Sequence, residues 1–230
     1  MGILLVLAIT ILGGYYRGFL NTLLSIGATI ASYLTGMLCI PLISSAIQSN
    51  QSLFNMLLYY TEGAEYVAVT DVELTRIPIS QVSADQLRVI LDNADMPLPM
   101  GSCVTRNIAT EAFARDGITS LGDYFNQTIV CVAVNIIVLL VVFLIARILL
   151  GFGIRCVDYA KGGLPALQHA DGAIGAGLGL INGVLLLFIL FLLVPLALTV
   201  LPKLYTFLEE SFFGEFFYKA NILIPLVPGT

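Results

Sequence analysis

The stretch DGAIGAGLGLINGVLLLFIL, residues 171–190, has a glycine at every fourth position after its aspartate. In water, each such glycine costs a helix about 1 kcal/mol relative to alanine. Lipid changes this balance, because a chain in the bilayer core must satisfy its own backbone hydrogen bonds and does so as a helix. Small residues four apart then lie on one face and let a second helix approach closely. The stretch therefore predicts a membrane helix with a packing face, the glycine ladder (Gly175, Gly179 and Gly183).

The composition of the whole chain also indicates a membrane protein. Of its 230 residues, 58% are hydrophobic and 11% are charged, whereas soluble domains have about 25% charged residues. A helix needs roughly 20 apolar residues to cross the hydrocarbon core of a bilayer. Uncharged stretches occupy residues 1–16, 18–43, 128–146 and 172–201, of which the first is short for a crossing. We predict an all-α polytopic membrane protein with about four transmembrane helices, one over each stretch.

The first two predicted helices form a hairpin over residues 1–43, and the last two form a pair over residues 128–201. The sequence GGYYRGF, residues 13–19, supplies the hairpin turn, and Pro41 is predicted to end the second helix. That helix also carries small residues four apart, the small-residue stripe (Ala28, Ser32 and Gly36). Two partners are open for the glycine ladder: this stripe, or the same ladder in a second copy of the chain.

Residues 44–127 form a polar insert with ten acidic and four basic residues. Within it, SADQLRVILDNA, residues 83–94, predicts a helix with Ser83 as its N-cap and Gln86 completing a capping box. A second helix is predicted over TRNIATEAFARDG, residues 105–117, ended by Gly117. We interpret the insert as a helical subdomain outside the bilayer, with its acidic side chains in solvent.

The C-terminal segment, residues 202–230, is interrupted by charges but rich in phenylalanine and tyrosine. Such aromatic residues favour the membrane interface, so the segment predicts an amphipathic interfacial helix. The distribution of basic residues predicts the orientation, since cytoplasmic loops carry more lysine and arginine. The two short loops are expected in the cytoplasm and the insert and both termini outside, because the loop side has four basic residues: Arg17, Arg147, Arg155 and Lys161.

Two asparagines lie inside predicted membrane helices, Asn135 in the third and Asn182 in the fourth. We interpret them as partners in an interhelical hydrogen bond, worth about 0.6 to 2 kcal/mol; the alternative is a polar path through the membrane. Asp171 is placed to cap its helix and meet the positive end of the helix dipole. The sequence offers no catalytic, cofactor or metal-binding constellation, and its one histidine, His169, is interpreted as a solvated loop residue. We predict that the chain is not an enzyme.

Three segments together resemble the colicin V production protein (CvpA) family of bacterial inner-membrane proteins. GYYRGFLNTLLSIGATIASY, residues 14–33, is similar to the family's Arg-Gly-Phe turn at Arg17, Gly18 and Phe19. Asp171 followed by the glycine ladder is similar to the start of the family's last helix. ESFFGEFFYKANILIPL, residues 210–226, resembles its C-terminal segment and maps Ser211 and Asn221. This chain departs from the family where Gly172 and Asn182 replace positions that are commonly basic.

The resemblance implies a four-helix protein of the bacterial cytoplasmic (inner) membrane, linked to toxin (bacteriocin) production or export and without enzymatic chemistry. Our first hypothesis is an accessory protein that contacts the lipid bilayer and binds itself as a homo-oligomer or other membrane proteins. It would support toxin export or envelope maintenance and would bind no nucleic acid. The alternative is an oligomeric channel or small transporter with a glycine-rich pore helix, although the membrane stretches lack the charged residue typical of coupled transport.

Overall fold

The computed structural model describes residues 2–61, 63–67, 72–94, 96–161, 171–201 and 203–230, and these residues form helices without a named strand. The prediction of an all-α protein is therefore confirmed. Among the described residues, four short 3-10 helices occupy Val72–Arg76, Ile79–Gln81, Ala114–Asp116 and Ile224–Leu226. The α-helices are α1 (Gly2–Gln48), α2 (Gln51–Thr61), α3 (Ala64–Val67), α4 (Ala84–Asn93), α5 (Met100–Ala109), α6 (Leu121–Lys161), α7 (Asp171–Leu190), α8 (Leu193–Val200), α9 (Leu204–Glu209) and α10 (Phe212–Lys219).

Within the described chain, three helical segments are long and apolar enough to cross a membrane: Gly2–Gln48, Leu121–Arg155 and Gly172–Val200. The second predicted helix is the C-terminal part of Gly2–Gln48. It does not end at Pro41 as predicted but continues to Gln48 with this proline inside it. The segment Gly172–Val200 is interrupted between α7 and α8 at residues 191 and 192. Pro195 accounts for the interruption, since it has no N–H to donate to the carbonyl four residues earlier.

Helix α1 is not one straight rod, because Gly18 has φ 77° and ψ 178°. This extended conformation with positive φ is accessible to glycine, whereas a residue with a Cβ atom would be strained in it. As a straight helix, the stretch from Thr10 to Thr29 would span about 28 Å. Thr10 nevertheless lies against Gly183, and Thr29 is hydrogen-bonded to Asn182, the adjacent residue of α7. The chain therefore folds back at Gly18 into a first arm (residues 2–17) and a second arm (residues 19–48).

The chain divides into two compact units. The first unit comprises residues 1–40, 138–192 and 206–221, and the second comprises residues 41–137, 193–205 and 222–230. The second unit contains the whole of the predicted insert and has a hydrophobic core of its own. Its buried members are Val67, Ala94, Val104, Leu121 and Phe125.

The two helices predicted in the insert meet different outcomes. Helix α4 confirms the first, since Ser83 accepts a hydrogen bond from the Gln86 backbone N–H while the Gln86 side chain accepts from the Ser83 N–H. The second begins earlier than predicted, at Met100, and ends at Ala109 instead of residue 117. Gly117 ends only a short 3-10 turn, where it adopts φ 76°.

The C-terminal segment is not the single interfacial helix that the sequence predicted. It contains two short helices, α9 and α10, and its last nine residues, 222–230, belong to the second unit. Within that unit Ile224 and Val227 are each only 1% exposed. The difference has a physical reason, since buried amide side chains bind the carbonyl groups of this terminal stretch.

Candidate functional site

In the first unit, the glycine ladder is filled by the backbone of the first arm. A Cβ atom added at Gly175 would collide with the carbonyl oxygen of Gly14, and one added at Gly179 would collide with the carbonyl oxygen of Thr10. At Gly183 the added atom would collide with the Thr10 hydroxyl. The ladder and the first arm are therefore in direct backbone contact. This contact is possible because the side chain of each ladder glycine is a single hydrogen atom.

The ladder's partner inside the chain is thus Thr10, Gly14 and Gly18, not the small-residue stripe named from the sequence. These three residues are also spaced four apart, but Gly14 and Gly18 are in the segment predicted as the hairpin turn. Their spacing was the signal that could have identified them.

The small-residue stripe has a different neighbour. Gly36 packs against α6, where an added Cβ would lie 3.0 Å from the Leu139 carbonyl oxygen. The Ser32 hydroxyl donates a 2.7 Å hydrogen bond to the Ala28 carbonyl of its own helix. All three stripe residues are buried. The chain therefore uses two separate small-residue contacts, one for α7 and one for α6.

Asn182 does not pair with Asn135, so that prediction is wrong. Instead, the Thr29 hydroxyl shares its proton between two acceptors, the Asn182 side-chain oxygen at 3.0 Å and the Ser25 carbonyl of its own helix at 2.9 Å. Thr29 and Asn182 are buried in the first unit, with Thr29 only 1% exposed. The bond to Asn182 joins the second arm to α7, beside the contact that joins the first arm to α7.

Asn135 acts in the second unit and is fully buried there. Its Nδ2 donates to the carbonyl oxygens of Pro228, at 2.8 Å, and Thr230, at 3.1 Å. Its Oδ1 accepts a 2.6 Å hydrogen bond from the Ser44 hydroxyl. Both the nitrogen and the oxygen of this side-chain amide are hydrogen-bonded, as is expected of a buried polar group.

A second asparagine, Asn107, binds the same terminal stretch, and sequence reasoning missed it. Its Nδ2 donates to the Gly229 carbonyl at 2.9 Å and to the Thr128 hydroxyl at 3.0 Å. Gly229 is so close to α5 that an added Cβ would lie 2.7 Å from the Cβ of Cys103. Asn107 and Asn135, the C-terminal clamp, together hold three consecutive backbone carbonyls.

The residues mapped onto the family's C-terminal segment have structural positions in the first unit. The Ser211 hydroxyl caps α10 by accepting a 3.3 Å hydrogen bond from the Gly214 N–H. Asn221 Nδ2 donates to the Phe188 carbonyl at 2.8 Å. Phe188 is in the last turn of α7, where carbonyl groups lack the usual intrahelical partners. Asn221 therefore supplies a hydrogen-bond donor to the C-terminal end of α7, the helix that carries the ladder.

The residues mapped onto the other two family segments lie at the same end of the ladder contact, where α7 begins and Gly175 meets Gly18. Gly18 makes the fold-back described above, between exposed Arg17 and half-buried Phe19. Asp171 is the first residue of α7. Its side chain and His169 lie outside the described residues.

Three arginines of the first unit share one cavity of about 360 Å³. Arg17, Arg147 and Arg155 line it together with Asn21 and Ser25. Arg147 Nη2 donates a 2.7 Å hydrogen bond to the Ser25 hydroxyl. All three arginines were predicted to lie on the loop side of the membrane, and Arg17 also in the family's turn, but no local spacing in the sequence indicates that they share a cavity.

No family model, no curated protein and no solved structure matches this chain. The function is therefore inferred from the contacts within each unit. In the first unit they are close backbone packing, buried hydrogen bonds and a basic cavity. In the second unit they are an apolar core and a clamped terminal stretch.

Proposed function

We propose that this chain is an integral membrane accessory protein of the colicin V production type, acting by helix packing and partner binding in the bacterial inner membrane. The observation that supports it best is the backbone contact between the glycine ladder and Thr10, Gly14 and Gly18. This contact makes the first unit a tightly packed scaffold. In such a role the second unit is the part that presents a surface to other proteins.

The proposal includes four membrane crossings. The fold-back at Gly18 supports it, because the two arms of α1 then count as separate helices. The second arm is long enough for a full crossing, while the first arm, at about 1.5 Å per residue, reaches only about 24 Å. A bilayer adapts to a short hydrophobic segment by local thinning at a modest cost in free energy.

Helix α4 is the surface that we assign to partner binding. None of its residues is buried, and Val89 is 59% exposed. One apolar cavity lies between α4 and residues Leu74 and Ile77, and another lies between α4 and α5. Exposed apolar grooves rimmed by charges such as Asp85 and Asp92 are typical of protein interaction sites.

The channel alternative has weaker support. A pore lined by the ladder needs the glycine face to be open to water. The ladder glycines are instead buried against the first arm of their own chain.

Complementation of toxin export tests the proposal. The chain would be expressed in a colicin V-producing strain that lacks its own protein of this type, and toxin activity would be measured in the medium. We expect the wild type to restore export and Val89→Asp to reduce it. Leu98→Asp is the matched control, since Leu98 is also exposed, at 44%, but lies outside α4. Export that does not depend on the chain would refute the proposal.

Measuring the current across a planar bilayer distinguishes the accessory protein from the channel. Purified, folded protein is expected to be electrically silent, with and without membrane tension. Discrete conductance steps that Gly179→Leu alters would favour the channel instead.

A further inference from the structure

The basic cavity of the first unit has no anionic partner in the described chain. Three guanidinium groups line it, from Arg17 at the fold-back and from Arg147 and Arg155 on α6. No described carboxylate lines the cavity or forms an ion pair with any of the three. Arg147 is partly buried and Arg17 and Arg155 are exposed, so solvent screens the repulsion among the three like charges without abolishing it. A bound anion would relieve this repulsion.

The cavity is also pre-organised. Ser25 is only 5% exposed, and its hydroxyl accepts the hydrogen bond from Arg147. Asn21 lies one helical turn before Ser25, so its side chain is on the same side of the second arm. Arginine donors in fixed positions suit phosphate groups, which guanidinium binds with two parallel hydrogen bonds.

An apolar groove adjoins the basic cavity. The groove has a volume of about 530 Å³ and is lined by the second arm, including Leu24, Gly27 and Ala28, and by α6, including Gly153. Ile154 lines both the groove and the basic cavity. A Cβ atom added at Gly27 or Gly153 would meet no atom within 4 Å, so both glycines leave the groove open.

We propose that the basic cavity and the adjoining groove form a binding site for a phospholipid with an anionic headgroup. The headgroup phosphate binds Arg17, Arg147 and Arg155, with Asn21 as a further donor, and one acyl chain lies in the groove between Gly27 and Gly153. Basic pockets between membrane helices are known to take anionic headgroups. Inorganic phosphate would satisfy the arginines but would leave the apolar groove unused, which favours the lipid.

Native mass spectrometry of the full chain in detergent tests the site, with phosphatidylglycerol as the probe and phosphatidylcholine as the neutral comparison. We expect the wild type to bind phosphatidylglycerol preferentially. The variant Arg147→Gln/Arg155→Gln should bind it at least about tenfold more weakly, because two charge-assisted contacts to phosphate are lost. Arg88→Gln/Arg115→Gln, which removes the same charge from the second unit, should bind like the wild type. Equal binding by the two double variants would overturn the proposal.

A second pair of variants tests the acyl chain without touching an arginine. Gly153→Leu should fill the groove and weaken phosphatidylglycerol binding, while Gly177→Leu, on an open face of α7, should not. Inorganic phosphate should compete only weakly with the lipid. Strong competition by phosphate, together with unchanged lipid binding by Gly153→Leu, would show a phosphate site and overturn the lipid assignment.

Discussion

Thr29 donates a 3.0 Å hydrogen bond to Asn182, and both residues are buried in the first unit. The next residue of α7, Gly183, packs against the hydroxyl of Thr10. The two arms of α1 therefore meet α7 at the same level, one through a hydrogen bond and the other through a glycine contact. This junction fixes the register of all three segments, because sliding either arm would break the contact of that arm.

The first prediction concerns the coupling across this hydrogen bond. In a double-mutant cycle with Thr29→Val and Asn182→Leu, we expect a coupling free energy of about 0.6 to 2 kcal/mol, the range for interhelical hydrogen bonds in membranes. The free energy of unfolding would be measured in micelles. Thr35→Val is the matched control, since the Thr35 hydroxyl bonds only to Ala31 in its own helix. Additive effects of Thr29→Val and Asn182→Leu would contradict the assignment.

The second prediction tests the ladder with the smallest possible change. Gly179→Ala should destabilise the protein, although alanine is the better helix former, because the new methyl group meets the Thr10 backbone. Gly177→Ala should be neutral or stabilising by up to about 1 kcal/mol, since nothing lies within 4 Å of its added Cβ. Thermal unfolding of the two variants in detergent measures the difference. Equal unfolding temperatures for Gly179→Ala and Gly177→Ala would contradict the interpretation of the ladder as a packing face.

The third prediction concerns Tyr33, whose buried hydroxyl has no hydrogen-bond partner in the described structure. Tyr33→Phe removes this unpaired group, so we expect stability to stay the same or rise by about 1 kcal/mol. Ser44 is the contrasting case, because its hydroxyl is also buried but donates a 2.6 Å hydrogen bond to Asn135. Ser44→Ala should lower the free energy of unfolding by about 0.5 to 1.5 kcal/mol. A marked loss of stability in Tyr33→Phe would show that its hydroxyl is paired.

Local patterns in the sequence predicted the local features of the fold. The capping box of α4 and the apolar helices follow from residue types a few positions apart. The sequence did not identify which surfaces meet, because contacts between distant segments have no local spacing. Asn135 illustrates this limit: its position inside an apolar helix predicted Asn182 as its partner, whereas it bonds to Ser44 of α1 and to the carbonyls of Pro228 and Thr230. Backbone acceptors of this kind leave no mark in the side-chain pattern.

The fourth prediction tests the C-terminal clamp. Gly229→Ala should loosen the terminal stretch, because an added Cβ would lie 2.7 Å from the Cβ of Cys103. Gly101→Ala is the control on the same helix α5, where an added Cβ meets nothing within 4 Å. Carboxypeptidase digestion followed by mass spectrometry would measure release of the last residues. We expect faster release from Gly229→Ala than from the wild type and no change in Gly101→Ala.

The fifth prediction is a dependence of stability on alkaline pH that arises at Cys103. Burial raises the pKa of the Cys103 thiol, and Arg106, whose Nη2 lies 3.6 Å from the sulfur, offsets only part of this effect. The neutral thiol therefore contributes stability that is fully present below the ordinary thiol pKa of about 8.5 and is lost as pH rises towards the higher native pKa. The free energy of unfolding, measured by denaturant titration, should fall more steeply above this pH in the wild type than in Cys103→Ala. The other cysteines titrate in both proteins and cancel in the comparison. Parallel pH profiles for the two proteins would show that the thiol is no harder to ionise in the native state than in the unfolded chain.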